Sequence, residues 1–197
     1  MSVRVVAAVE AALRSHSGVL GIRLVGSRAE GRAHDLSDWD LAVATDDFVS
    51  VSRDLHDLLA PLRPFAEQWD RYSSHECYML IFSGPTKVDL LFPAERRRWS
   101  PPWRPSPETL DAIDLHFWDW ILWLEQKRRG GREDVLRQSL RDLYELMLGP
   151  MGAIERPRSV PEALDAYLSA RSALEERLGL TVSRDLEREV RPALTGR

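Results

Sequence analysis

The sequence predicts an α+β fold in two lobes, a mixed N-terminal lobe of strands and helices followed by a C-terminal helical lobe. Three observations lead there. Up to residue 92, segments with apolar side chains at helical spacing alternate with β-branched and apolar runs of strand length. From Pro93 to Pro107 the chain then carries five prolines and the consecutive Arg96, Arg97 and Arg98, which leaves no room for a regular element. Beyond Pro107 every periodic segment has helical spacing. The expected boundaries are 1–93 for the first domain, 94–107 for a Pro-rich linker and 108–197 for a helical domain. At 197 residues the chain is long enough to bury a core unaided.

Residues 2–14 place apolar side chains on one helical face, and His16-Ser17-Gly18 closes that helix. Val19 to Val25 reads as a strand ending on Gly26-Ser27, where a short helix to about Ala33 begins. Asp38 to Ala44 alternates as a second strand. Residues 48–60 put Val51, Leu55, Leu58 and Leu59 on one helical face, with Asp46 or Asp47 as N-cap. Three strand-like runs follow, 65–72, 77–82 and 87–92, the last two joined through Ser83-Gly84-Pro85. In the helical lobe Ser106 and Pro107 open a helix that runs to Arg129 and stops at Gly130-Gly131. Another runs from Arg132 to Leu148 and ends at Gly149-Pro150, and two more cover about 160–178 and 183–191.

Composition narrows the function classes. The formal charge is −4, from 27 Lys and Arg against 31 Asp and Glu, whereas a chain whose main affinity is for nucleic-acid phosphates needs a basic footprint. Nucleic-acid binding is therefore not expected. Cys77 is the one cysteine, which excludes an internal disulfide and a Cys-rich zinc site and suits a reducing compartment, so a cytoplasmic protein is expected. No run approaches the ~18 consecutive apolar residues of a membrane helix, so no membrane partner is expected. Walker-type Gly-Lys-Ser/Thr and Gly-x-Ser-x-Gly sequences are absent, and the histidines show no His-Glu-x-x-His spacing.

The most specific stretch is Gly26-Ser27-Arg28-Ala29-Glu30-Gly31, five residues, then Ser37-Asp38-Trp39-Asp40-Leu41. Gly26 and Ser27 lie where a strand turns into a helix, so backbone N–H groups and the Ser27 hydroxyl can receive a phosphate there, with Arg28 alongside. Asp38 and Asp40 are two apart in a strand and leave the same face, roughly 7 Å apart along it. Carboxylates held together repel unless a cation sits between them. A third, Asp89, lies within the apolar run Lys87 to Phe92, where a charge is costly unless it is paired or ligated. Three hard oxygen donors beside a phosphate seat match a two-metal arrangement for nucleotidyl transfer.

These residues resemble the DNA polymerase β-like nucleotidyltransferases, whose pattern is met by Gly26, Ser27, Ala29, Gly31, Ser37, Asp38, Asp40 and Leu41, with Asp89 as the later third carboxylate. Size and layout are similar to the antibiotic branch, the aminoglycoside and lincosamide nucleotidyltransferases. The resemblance implies a nucleotidyltransferase-type mixed sheet with flanking helices and a C-terminal helical bundle. It implies transfer of AMP or another NMP from an NTP to a hydroxyl of a small molecule, with two Mg2+ ions held by Asp38, Asp40 and Asp89. It also implies an acceptor-binding helical lobe in which Lys127 reaches the triphosphate, and a monomer or homodimer. Trp39 departs from the family pattern, which has an aliphatic side chain more often at that position, and Gly131 replaces a frequent acidic residue. A second reading is an antitoxin-type nucleotidyltransferase that binds or AMPylates a helical partner toxin, against which the long helical tail counts.

Helix 108–129 holds Trp118, Trp120 and Trp123. At helical spacing Asp111, Asp114, Trp118 and Glu125 share a face, which either presents carboxylates and aromatic surface to a cationic acceptor or divides into core packing and a solvated acidic face. The general base is Glu125 or Asp89. Lys127 is either a triphosphate ligand or a helix-end cation.

Overall fold

The computed structural model describes residues 2–98 and 100–195 and divides the chain into two compact units, one up to residue 99 and one from residue 100. The first unit is a five-stranded mixed sheet in the order β1-β2-β5-β4-β3, with strands β1 (Val19–Val25), β2 (Trp39–Thr45), β3 (Ala66–Trp69), β4 (His75–Phe82) and β5 (Thr86–Arg96). The β2–β5 pair is parallel, and the other neighbours are antiparallel. Helix α1 (Ser2–Arg14) contributes Val6, Val9 and Leu13 to the core, and α3 (Phe48–Leu59) contributes Val51, Leu55 and Leu59. They pack with Leu41 and Val43 of β2 and Val88, Leu90 and Phe92 of β5. Because strand side chains alternate, the residues between these, Asp40, Ala42, Asp89 and Leu91, take the opposite face. The Asp47 side chain caps α3 by accepting the Ser50 N–H at 3.0 Å, one of the two caps expected.

Several boundaries move. The short helix after β1, α2 (Gly26–Ala29), stops four residues before the expected Ala33. Strand β5 runs past Phe92 to Arg96, into the segment expected as linker. Pro93 is tolerated because it falls where the β4–β5 register shifts, between the Glu76–Phe92 and His75–Arg96 pairs, so its missing N–H breaks no regular ladder.

The second unit is helical: α4 (Leu110–Arg129), α5 (Glu133–Leu143), a π-helical turn at Tyr144–Leu148 that leads into α6 (Gly149–Met151), α7 (Val160–Leu178) and α8 (Asp185–Thr195). Helix α4 packs against α5, α7 and α8. It starts at Leu110 instead of Pro107, because Ser106 forms a turn whose carbonyl receives the Thr109 and Leu110 N–H groups. Gly149-Pro150 does not end the α5 segment as expected; the π turn carries it on until Gly152, which stops it at φ +104°. Among the described residues no helix is long and apolar enough to cross a membrane.

Candidate active site

Register creates the site. Asp40 of β2 lies directly opposite Asp89 of β5, and neighbouring strands run about 4.8 Å apart, so the two carboxylates leave one face side by side. Asp38 joins them from the residue before β2. One oxygen from each of the three lies within 4.8 Å of the others, and Asp38 and Asp89 are only 5% and 8% exposed. Like charges facing one another across a sheet destabilise it, so this arrangement asks for a cation. Part of the answer comes from Lys87, two residues before Asp89 on the same face, which is 4% exposed and donates from Nζ to Asp89 Oδ1 at 2.7 Å. The sequence reading missed Lys87, although its two-residue spacing from Asp89 already placed both on one face.

Gly26 abuts this cluster. A Cβ built on it would lie 2.0 Å from Asp40 Oδ2, and its φ is +68°, so any side chain here would push the Asp40 carboxylate aside and strain the backbone. Ser27 follows at the start of α2, where no side chain caps the helix. With α2 only four residues long, any anion seat here rests on the local N–H groups and the Ser27 hydroxyl, because so short a helix has little dipole.

Arg28, expected beside the phosphate seat, is engaged with the backbone that leads into β2. Its Nε donates to the carbonyls of Ser37 at 3.0 Å and Asp38 at 2.9 Å, its Nη2 donates to Ser37 again at 2.5 Å, and its Cζ lies 4.1 Å above the Trp39 ring. Burial lowers the affinity of Arg28 for its proton, and Asp38, Asp35 and Asp40 act the other way. Ser37 closes the loop before β2: its hydroxyl accepts the His34 N–H, and its own N–H goes to the His34 carbonyl, both at 2.9 Å.

The α4 residues do not form the expected acceptor face. Asp111 is exposed, but Trp118 is fully buried and donates from Nε1 to Asp114 at 3.2 Å. Asp114 also accepts from the Tyr167 hydroxyl and from Arg171 at 3.1 Å, and Arg171 reaches Glu187 at 2.5 Å. Burial raises the Asp114 carboxyl, against the pull of these donors. Glu125 is 1% exposed and takes Arg128 on both oxygens and Arg129 on one, each at 2.7 Å. Burial pushes its carboxyl up, but the two arginines outweigh that and hold it below the ordinary range. A general base works best with a pKa near the operating pH, so this pairing with two arginines counts against Glu125 in that role. Lys127 lies over Trp123 of its own helix, Nζ 4.5 Å from the ring centre. Sequence periodicity placed the α4 residues on one face correctly, but it carries no record of the neighbouring helices that bury that face.

The donor set of the N-terminal cluster suits a hard divalent ion. Carboxylate oxygens around an octahedral Mg2+ at 2.0–2.1 Å stand about 3–4 Å apart, close to the spacing found here. Among the described residues Asp38, Asp40 and Asp89 are the group that could hold a metal.

Residues 6–101 match the family profile described as the nucleotidyltransferase domain. No curated protein sequence matches the chain. Similar solved structures include the RNA terminal uridylyl transferase Cid1, at 15% identity and TM-score 0.41, covering 74% of this chain and 46% of that one. Others are an aminoglycoside 6-adenyltransferase from Bacillus subtilis, at 11% identity and TM-score 0.32 with 95% of each chain covered, and the Elizabethkingia meningoseptica CdnE cyclic dinucleotide synthase, at 12% identity and TM-score 0.35, covering 95% of this chain and 82% of that one. The chain thus spans less than half of the first of these. The profile match takes in β1, α2, β2 and β5, the elements that carry Gly26, Ser27 and the three carboxylates.

Proposed function

We propose that the protein moves AMP or another nucleoside monophosphate from an NTP to a hydroxyl of a small molecule, and that divalent metal, two Mg2+ ions in the fullest form, is required. The observation that supports this most is the convergence of Asp38, Asp40 and Asp89 beside Gly26 and Ser27. The ions, when bound, would neutralise the triphosphate and lower the cost of charge on the attacking and leaving oxygens. Asp38, Asp40 and Asp89 hold them; Ser27 and the N–H groups that start α2 receive phosphate oxygens. Both candidate bases carry cations, Glu125 two arginines and Asp89 Lys87; Asp89 is preferred because it lies in the carboxylate cluster itself. The acceptor oxygen then bonds to the α-phosphorus, the bond from that phosphorus to the bridging oxygen breaks, and pyrophosphate leaves with the electron pair.

An aminoglycoside- or lincosamide-like acceptor is the class to test first, on the family resemblance of the motif. The buried acids of α4 lend it no support. The test is intact mass of a panel of amino sugars and lincosamides after incubation with protein, ATP, other NTPs and Mg2+. A gain of one nucleoside monophosphate that disappears in Asp40→Asn supports the proposal; no gain on any acceptor, with no pyrophosphate released, opposes it.

A further inference from the structure

Asp40 and Asp38 are held in different ways. Asp40 sits inside the sheet, paired with Val25 of β1 on one side and Asp89 of β5 on the other. Asp38 precedes the first residue of β2 and lies outside both registers. Yet its carboxylate must aim at the same point. We propose that Arg28 is a positioning residue for the metal-binding carboxylates, clamping the backbone of Ser37 and Asp38 while stacked on Trp39.

The clamp engages three consecutive residues where the loop enters β2: the carbonyls of Ser37 and Asp38 and the ring of Trp39. A guanidinium can do this because it is flat, presents its donors in a fixed fork and stacks on aromatic faces; a lysine ammonium can do none of these in combination. The aromatic side chain at position 39, unusual for the motif, thereby has a physical reason. Three hydrogen bonds from a charged donor to two successive carbonyls are ample to fix one loop residue.

The inference rests on the metal-site reading above, and charge makes it testable by sign. A cation close to Asp38 and Asp40 opposes a second cation, so if Arg28 acted only through its charge, its removal would tighten metal binding. If it acts by position, removal loosens binding. The experiment titrates Mn2+ into the nucleotide-free full-length protein, by calorimetry and by electron paramagnetic resonance, for the unaltered chain and for Arg28→Met, Arg28→Lys, Trp39→Leu and Trp39→Phe. Hydrogen exchange of the 34–40 segment and thermal unfolding are read in parallel.

Arg28→Met and Arg28→Lys should each weaken Mn2+ by about tenfold or more, the fold-change of a lost charge-assisted hydrogen bond, and speed exchange at 34–38 with little change in Tm. Trp39→Leu should do so by about threefold, and Trp39→Phe should stay near the unaltered protein. Saturating Mn2+ should restore both kcat and the KM for ATP in Arg28→Lys. The clamp is overturned by full Mn2+ affinity in Arg28→Lys, by tighter binding in Arg28→Met, by unchanged exchange at 34–38, or by an ATP KM that stays high at saturating metal, which would mark a phosphate contact. No Mn2+ binding by the unaltered protein would instead overturn the metal-site reading, and the proposal with it.

Discussion

The two units treat carboxylates in opposite ways. In the N-terminal unit Asp38, Asp40 and Asp89 are turned toward one another, with one oxygen from each inside 4.8 Å. In the C-terminal unit two buried acids are turned toward donors: Asp114 toward Tyr167, Arg171 and Trp118, Glu125 toward Arg128 and Arg129. Burial alone does not separate them, since Asp38, Asp89, Asp114 and Glu125 are all buried. What differs is who supplies the positive charge. Arginines within the C-terminal unit answer both acids: for Glu125 they outweigh desolvation, whereas for Asp114 burial still dominates while Tyr167 and Arg171 tie α4 to α7. The acids gathered around a common point have Lys87 on one of them and suit a further cation from outside, which makes the cluster a candidate binding site.

The largest effect that would break this comparison is on turnover. Asp40→Asn or Asp38→Asn should cut nucleotidyl transfer by at least about 10²-fold, the scale of losing one preorganised electrostatic group, while Tm without metal stays level or rises as repulsion is relieved. Turnover within tenfold of the unaltered protein would show that the cluster is not the metal site. Next comes Gly26→Ala. The added Cβ must displace the Asp40 carboxylate and accept a positive φ, which costs roughly 1–3 kcal/mol of backbone strain. Transfer should fall together with metal affinity, a pairing that calorimetry and kinetics can check on one preparation.

In the helical unit the effect should appear in stability. Asp114→Ala leaves Tyr167, Trp118 and one arm of Arg171 without their acceptor and should cost about 3–5 kcal/mol in urea unfolding. Glu125→Gln should cost less, about 1–3 kcal/mol, because Arg128 is nearly half exposed. Its kcat should stay within a few-fold of the unaltered protein, and a fall of about 10²-fold would mark Glu125 as general base. The pH dependence has a definite sign. Folding favours the ionised form of Glu125, so its contribution is full above the pKa of the unfolded chain and fades as pH drops through the lower folded value. The stability gap between Glu125→Gln and the unaltered protein should therefore be widest near neutrality and shrink below the ordinary glutamate range.

Much of the N-terminal site was legible because it is local. Gly26 to Leu41 is one contiguous stretch, and alternation alone put Asp38 and Asp40 on one face. Asp89 was legible as a charge inside an apolar run; what the sequence could not supply was the parallel register that sets it opposite Asp40. Lys87 escaped because a lysine at a strand start reads as a solvated end. The extension of β5 past Pro93 escaped because local composition reads as linker, whereas pairing with His75 is a long-range fact. Helix α4 was placed within three residues at its start, but it is open only along a narrow, partly exposed stripe through Ala112, Leu115, Trp120, Trp123 and Lys127, too weak a contrast for periodicity to find. The π turn at 144–148 was hidden behind Gly149-Pro150, which locally read as a stop.

The central claim, that Asp38, Asp40 and Asp89 gather a divalent cation for a nucleoside triphosphate, is tested most directly by calorimetric titration of ATP with Mg2+ and with excess chelator, into the unaltered protein and Asp40→Asn. The account predicts binding that requires Mg2+ in the unaltered protein and is weakened by at least about tenfold in Asp40→Asn. Equal ATP affinity with metal and with chelator would contradict it.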